Sequence, residues 1–296
     1  MSNTPSNPKG TRDFLPSELS KRNYIIDILK NNFKNFGFSE IETPALEKTS
    51  TLLGKYGNEG DRLVFKILNS GEKVKKADIE ALKSNDLNSF TKSVSEKGLR
   101  YDLTVPLARY VAQHQNKLTF PFKRFQIQSV WRADRPQHGR FQEFTQCDAD
   151  VVGNNSIFQE IELIKLYDRI FSELGFDDLV FKINHRLILK GIADYIGLEN
   201  NLNEFISIID KLDKIGLDSV IDEIKEKFKY VSISKLDNLL KNKSLSFENI
   251  SLILKDIPLA NKGIEDLKSV FDFISSKSIN NEIRFDLTLA RGLNYY

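Results

Sequence analysis

The sequence predicts an α+β fold: an antiparallel sheet flanked by helices, with a block of helices interrupting the chain. Three observations carry this. Residues 120–152 alternate polar and apolar side chains on both arms of a Pro-Gln-His-Gly break, as an antiparallel hairpin does. Strands are interleaved with helices and several stand in hairpin relation, which favours α+β over a doubly wound sheet. No glycine-rich phosphate loop of Rossmann or P-loop type occurs in the 296 residues.

The elements follow in order. Residues 1–12 read as a mobile arm. From Pro16 to Phe36, Ile25, Ile28, Leu29, Phe33 and Phe36 keep helical spacing, and Gly37 supplies the stop. Phe38–Glu42 reads as a short strand closed by Pro44. Residues 69–98 are polar and lysine-rich, a partly helical flap. LRYDLTVP reads as a strand running into a helix striped by Leu107, Ala108 and Val111. Phe120–Arg132 and Arg140–Val152 form the hairpin. Ile157, Ile161, Ile164, Phe171 and Leu174 mark a helix closed by Gly175, and Leu179–Asn184 a strand. Short Lys-, Asp-, Ile- and Leu-rich helices fill the stretch to Lys277. EIRFDLTLARGLNYY alternates Ile283, Phe285, Leu287 and Leu289 as a last strand. The predicted domains are 1–185, an inserted helical domain 186–280, and a return strand 281–296.

Bulk properties exclude several classes. A net charge of +2 does not announce a polyanion partner, although a local patch could meet one. A lone cysteine, Cys147, builds neither a disulfide framework nor a zinc site and fits a reducing compartment. The polar, Pro-broken N-terminus has no apolar signal region, and no apolar run approaches membrane-spanning length. These features predict a cytoplasmic protein without a membrane partner.

The hairpin is the chemically informative part. On one arm Arg140, Gln142, Gln146, Asp148 and Asp150 share a face, interrupted by Phe144; on the other, Arg124, Gln126, Gln128 and Arg132 do. The opposite face carries Phe125, Ile127, Trp131, Cys147, Ala149 and Val151. A solvated sheet surface explains such a pattern by composition alone. Three features argue for a pocket instead. Arginine and glutamine replace the lysine, serine and threonine of an idle surface. Asp102 and Thr104 stand in a neighbouring strand. Arg291 precedes two phenols at the end. Carboxylates for an ammonium and arginines for phosphate or carboxylate oxygens suit a zwitterion plus a phosphate. His114, His138 and His185 fit no metal spacing and read as surface residues, so no metal site is assigned. Cys147 reads as a packed small residue.

KGTRDFLP, GFSEIETP, LRYDLTVP, WRADRP followed by GRFQEFTQCDADVVG, and ARGLNYY, in that order, resemble the histidyl-tRNA synthetases, class II aminoacyl-tRNA synthetases. The resemblance spans nearly the whole chain and is weakest in 69–98 and 186–280. It implies a class II synthetase-type antiparallel sheet and activation of L-histidine with ATP, aided by Mg2+, to histidyl-adenylate. Transfer to the 3′ end of tRNA(His) would follow. By the same resemblance, the region up to Pro44 is motif 1 and makes a homodimer. Arg132 holds the ATP α-phosphate, and Asp134 and Arg140 belong to the ATP site. Asp102 and Thr104 receive the histidine α-amino group. Gln146 and Asp150 line the amino-acid pocket, with Tyr295 and Tyr296 walling the imidazole. Arg291 neutralises the reacting carboxylate and phosphate. Residues 186–280 lean on the tRNA acceptor end.

Asp134 stands where many relatives have glutamate, and Asn294 where aspartate is frequent. Motif 3 and the anticodon-binding domain of the family are not within these residues, so a portion of the catalytic domain is expected. The rival expectation is a histidine-sensing paralogue, the regulatory subunit of ATP phosphoribosyltransferase. Arg132, Gln146, Asp150 and Arg291 kept together argue against a sensor, which needs no pair of phosphate-facing arginines.

Overall fold

The computed structural model describes residues 5–53, 62–241, 247–275 and 279–290. It divides into two compact units, residues 1–154 and 155–296. This division does not coincide with the boundary drawn at 185/186. Residue 186 marks where the helical block begins, while the helix and strand before it pack with that block.

In the first unit, helix α1 (Pro16–Asn35) starts with proline at its first turn, where no amide partner is needed. Glu18 accepts the N–H of Leu15 at 3.0 Å, satisfying the backbone donor of the N-cap residue. Gly37, at φ +78°, ends the helix in the left-handed region that β-carbons disfavour. Strand β1 (Ser39–Glu40) then runs parallel to β5 (Phe122–Trp131), with Ser39 opposite Arg124. The antiparallel partner of β5 is β6 (Glu143–Val152), and their register pairs Arg124 with Asp150, Gln126 with Asp148 and Gln128 with Gln146. Phe125 is fully buried against α1, its ring stacked on Phe33 at 4.9 Å. The hairpin is thus tied to α1 by an apolar face.

A second small sheet orders β2 (Leu46–Lys48), β4 (Lys97–Leu99) and β3 (Lys66–Ile67). Two short helices, Ile79–Lys83 and Leu87–Val94, capped by Asp78 and Asp86, make the flap partly helical. The strand expected in LRYDLTVP stops at Leu99, and helix α2 begins at Thr104. Pro106 in its first turn costs no hydrogen bond. The N-terminal arm is docked at Gly10, whose carbonyl accepts the N–H of Gln142 at 2.8 Å.

In the second unit, α3 (Phe158–Glu173) and β7 (Val180–Ile183) precede α4 (Arg186–Ile196). Short helices lead from there to α5 (Pro258–Ser275) and β8 (Glu282–Phe285). β7 and β8 pair in parallel, a relation that requires a long crossover, here the whole helical block. The helices share an apolar core including Ile188, Ile192, Phe205, Ile206, Val220, Leu236 and Leu267. Gly191 lets α4 and α5 touch: a β-carbon there would stand 2.4 Å from that of Ala260. Asp168 binds the start of β8, accepting both the backbone and side-chain amides of Asn281. The last strand is shorter than its alternation predicts. After Phe285, Asp286 accepts the N–H and hydroxyl of Thr288 and turns the chain, a role that aspartate fills readily.

Candidate active site

β5 is the central strand of its sheet, with β6 along one edge. Along the other edge run β1 and then the segment from Arg100 to Leu103. Ile41 donates its N–H to Phe125 O, and Trp131 donates to Arg100 O, each at 3.0 Å. The polar face is therefore not a solvated sheet surface. Arg124, Gln126, Arg100 and Asp102 are all buried, the first two and Asp102 completely. Desolvating such groups without partners would cost several kcal/mol, so their bonding is informative.

A connected network binds the inner groups. Arg100 donates to the carbonyl and hydroxyl of Thr43, to Gln128 Oε1 and to Ser129 O. Gln126 donates to Thr43 Oγ1 at 2.8 Å and to Gln128 Oε1. Residues of motif 1, the LRYDLTVP segment and the hairpin are locked into one polar layer.

The candidates sort to the two ends of this face. At one end Arg124 and Asp150 form an ion pair, Nη2 to Oδ2, at 2.6 Å. The alignment is that of a charge contact rather than a well-angled hydrogen bond. Burial pushes Arg124 below its ordinary value, while Asp150, Asp148 and Asp102 pull it back, in that order. Burial pushes the Asp150 and Asp148 carboxyls up, with Arg124 opposing. Gln146 donates to Asp148 at 3.2 Å, and its Oε1 is buried without a partner among the described residues. Asp102 accepts the N–H of Val105 at 3.2 Å, holding the first turn of α2. One guanidinium thus faces three carboxylates. That end is suited to an ammonium or an N–H donor.

At the other end Arg132 donates to Tyr101 O at 3.0 Å and lies over the Phe144 ring, 5.1 Å from its centroid. Arg140 and Asp134 approach only to 3.8 Å and are partly exposed. Arg140 does not lie in a strand as expected: β6 begins at Glu143, and Arg140 closes a turn with Gln137. Thr104 opens α2, and neither it nor Asp102 is in the expected strand. Arg291, Tyr295 and Tyr296 lie outside the described residues.

Other expectations are corrected. Cys147 is exposed rather than packed. His185 is a half-buried cap whose Nδ1 accepts the N–H of Leu187 at 3.0 Å. The functional residue that sequence reasoning left without a role is Arg124. Counting outward equally from Gln137 places it opposite Asp150, a signal present in the hairpin itself.

Comparison with known proteins agrees with this geometry. The family description "Histidyl-tRNA synthetase" matches residues 75–296. A histidine–tRNA ligase of Christiangramia forsetii is 53% identical over all of this chain and 66% of its own length. The crystal structure of a Nostoc histidyl-tRNA synthetase superimposes with TM-score 0.79 at 28% identity, over 100% of this chain and 64% of that one. A Bacillus halodurans structure titled as an ATP phosphoribosyltransferase regulatory subunit/histidyl-tRNA synthetase shares the fold, with TM-score 0.77 at 22% identity, over 98% and 70%. The chain spans about two thirds of the length of the curated relative it matches. A hairpin whose buried polar face is acidic at one end and arginine-bearing at the other, a family match over three quarters of the sequence and identity above one half together establish that this chain belongs to the histidyl-tRNA synthetase family.

Proposed function

We propose that this protein activates L-histidine with MgATP and transfers it to the 3′ end of tRNA(His). The observation that carries the reading is the polarity of the hairpin face. The cluster of Asp150, Asp148, Asp102 and Gln146 lies at one end and Arg132 at the other. From Gln142 to Asp150 the chain takes eight residue steps, roughly 26 Å of extended backbone, room for an amino acid and a nucleotide end to end. Asp102 and Thr104 receive the α-amino group, and Asp150 with Gln146 receives the imidazole. Tyr295 and Tyr296 close the imidazole pocket. The histidine carboxylate then attacks the α-phosphorus in line, and pyrophosphate leaves. Charge gathering on the α-phosphoryl oxygens is met by Arg132 and Arg291, with the Mg2+ that ATP brings on its phosphates. Asp134 and Arg140 serve the nucleotide side. The tRNA hydroxyl next attacks the carbonyl carbon of the adenylate and AMP leaves, with the helical block 186–280 against the acceptor end.

A second copy completes the assembly. α1 carries apolar residues on two sides: Phe33 is buried within the unit, while Leu15, Leu19, Tyr24 and Ile25 are exposed. Beside them a groove of about 350 Å3 has an apolar floor of Phe14, Ile25, Ile26, Leu29 and Ile127, with Arg12, Arg22 and Thr145 also lining it. A helix apolar on both sides is stable in water when both are covered, which supports a homodimer through motif 1. Among the described residues no helix is long and apolar enough to cross a membrane. Transfer to tRNA, the proposed reaction, supports a cytoplasmic location.

Histidine-dependent ATP–pyrophosphate exchange by the full gene product tests the reading. Exchange is expected, and Arg132→Ala is expected to lower its rate about 10²–10³-fold. Histidine binding without exchange would transfer the protein to the sensing class.

A further inference from the structure

We propose that Arg124 is a positioning residue for histidine recognition, holding Asp150 as an oriented carboxylate. This rests on the reading of the hairpin as a histidine site. Arg124 is fully buried, on the central strand, with β1 on one side and β6 on the other. Its place is set by two ladders rather than by a mobile loop. Asp150 lies directly across the hairpin, and the ion pair is Arg124's closest charge contact. Weaker contacts reach Gln126 Oε1 at 3.4 Å and Leu103 O at 3.5 Å, while Nε is buried without a hydrogen-bond partner among the described residues.

The chemistry makes that pairing consequential. The charged groups facing Asp150 are Arg124 from β5 and Asp148 from its own strand, while Asp102 from the start of α2 acts on Arg124 and Asp148. Two aspartates two residues apart on one half-buried face, with Asp102 near Asp148, would tend to retain a proton. A protonated Asp150 donates where it must accept the N–H of an imidazole. Arg124 opposes that protonation and engages Oδ2, leaving Oδ1 for the ligand. A lysine would supply the charge without the planar fork. Arg124 touches no reacting atom. It acts through Asp150, on the amino-acid end of the site alone.

The test compares wild type, Arg124→Met and Arg124→Lys of the full gene product in ATP–pyrophosphate exchange, titrating histidine and ATP separately from pH 5.5 to 8.5. In Arg124→Met the KM for histidine is expected to rise about ten- to a hundred-fold, with the KM for ATP within about twofold of wild type. Its acid limb for histidine kcat/KM moves to higher pH, because the unopposed carboxyl takes up a proton sooner. The substrate's own imidazole titrates identically in every variant, so the difference between profiles reports on Asp150. Arg124→Lys is expected between the two. Should Arg124→Met not fold, Arg124→Lys decides: a raised histidine KM with unchanged ATP KM supports the role, and an unchanged histidine KM overturns it. Equal losses for histidine and ATP with an unshifted pH profile also overturn it, by showing Arg124 to be a general structural element. A wild type whose exchange ignores histidine overturns the site reading itself, a separate outcome from an active wild type indifferent to Arg124.

Discussion

The two units solve the problem of burial in opposite ways. Among the described residues, eight of the ten buried polar side chains lie in the first unit: Asn32, Thr43, Glu47, Ser95, Arg100, Asp102, Arg124 and Gln126. The second unit keeps only Asp168 and Asn281, and draws most of its interior from a large aliphatic cluster. Burying an arginine or aspartate yields little net stability, because desolvation consumes most of the Coulombic gain. Burying isoleucine and leucine yields stability without directional demand. The first unit therefore spends interior positions on geometry, and the second on cohesion.

Three changes would break or sharpen that contrast, beyond the Arg132 and Arg124 variants. The largest effect is expected in the apolar core. Phe205→Ala leaves a cavity among Ile206, Ile208 and their neighbours and should cost about 3–5 kcal/mol in urea unfolding followed by circular dichroism. A cost below about 1 kcal/mol would mean the second unit is not held by its core. Next comes the outer side of α1, where Tyr24 is exposed in the isolated chain. Tyr24→Lys should weaken dimerisation at least about tenfold in sedimentation equilibrium, with the melting of the monomer unchanged. An unaltered association constant would place the dimer contact elsewhere.

The smallest effect concerns Asp286 in the turn after β8. Burial raises its carboxyl, but Thr288 and Lys182 outweigh that and hold it below the ordinary 3.8. A depressed folded value means stability present above pH 3.8 and lost as pH falls through the folded value. Asp286→Asn should therefore cost a few tenths to about 1 kcal/mol at pH 7, a difference that shrinks below pH 3.8. A difference that stays constant with pH would assign the turn to shape rather than charge.

The hairpin was legible because a period of two is enforced by the backbone: parity alone separated Arg124, Gln126 and Gln128 from Phe125 and Ile127. α1 was legible from the helical spacing of Ile25, Ile28, Leu29, Phe33 and Phe36 and from Gly37, whose local chemistry stops a helix whatever surrounds it. Asp102 and Thr104 were named in the right segment but the wrong element. Whether LRYDLTVP extends or turns depends on Asp102 accepting the N–H of Val105 inside a buried turn. Arg140 was misplaced for a related reason, since the closing turn through Gly139 at φ +75° consumes the residues that alternation assigns to a strand.

By itself, then, the sequence determined what local rules control: helix ends, strand parity, the polar face and the motifs that mark the family. Only the tertiary structure decided that this face is buried. No periodicity states whether water or Thr43, Arg100 and Leu103 lies above a row of glutamines and arginines. That decision sets the physics of the site. In water Arg124 and Asp150 would be an ordinary ion pair of small consequence. With Arg124 fully buried, Asp150 half-buried and three carboxylates around one guanidinium, the same charges act at lower dielectric and weigh more.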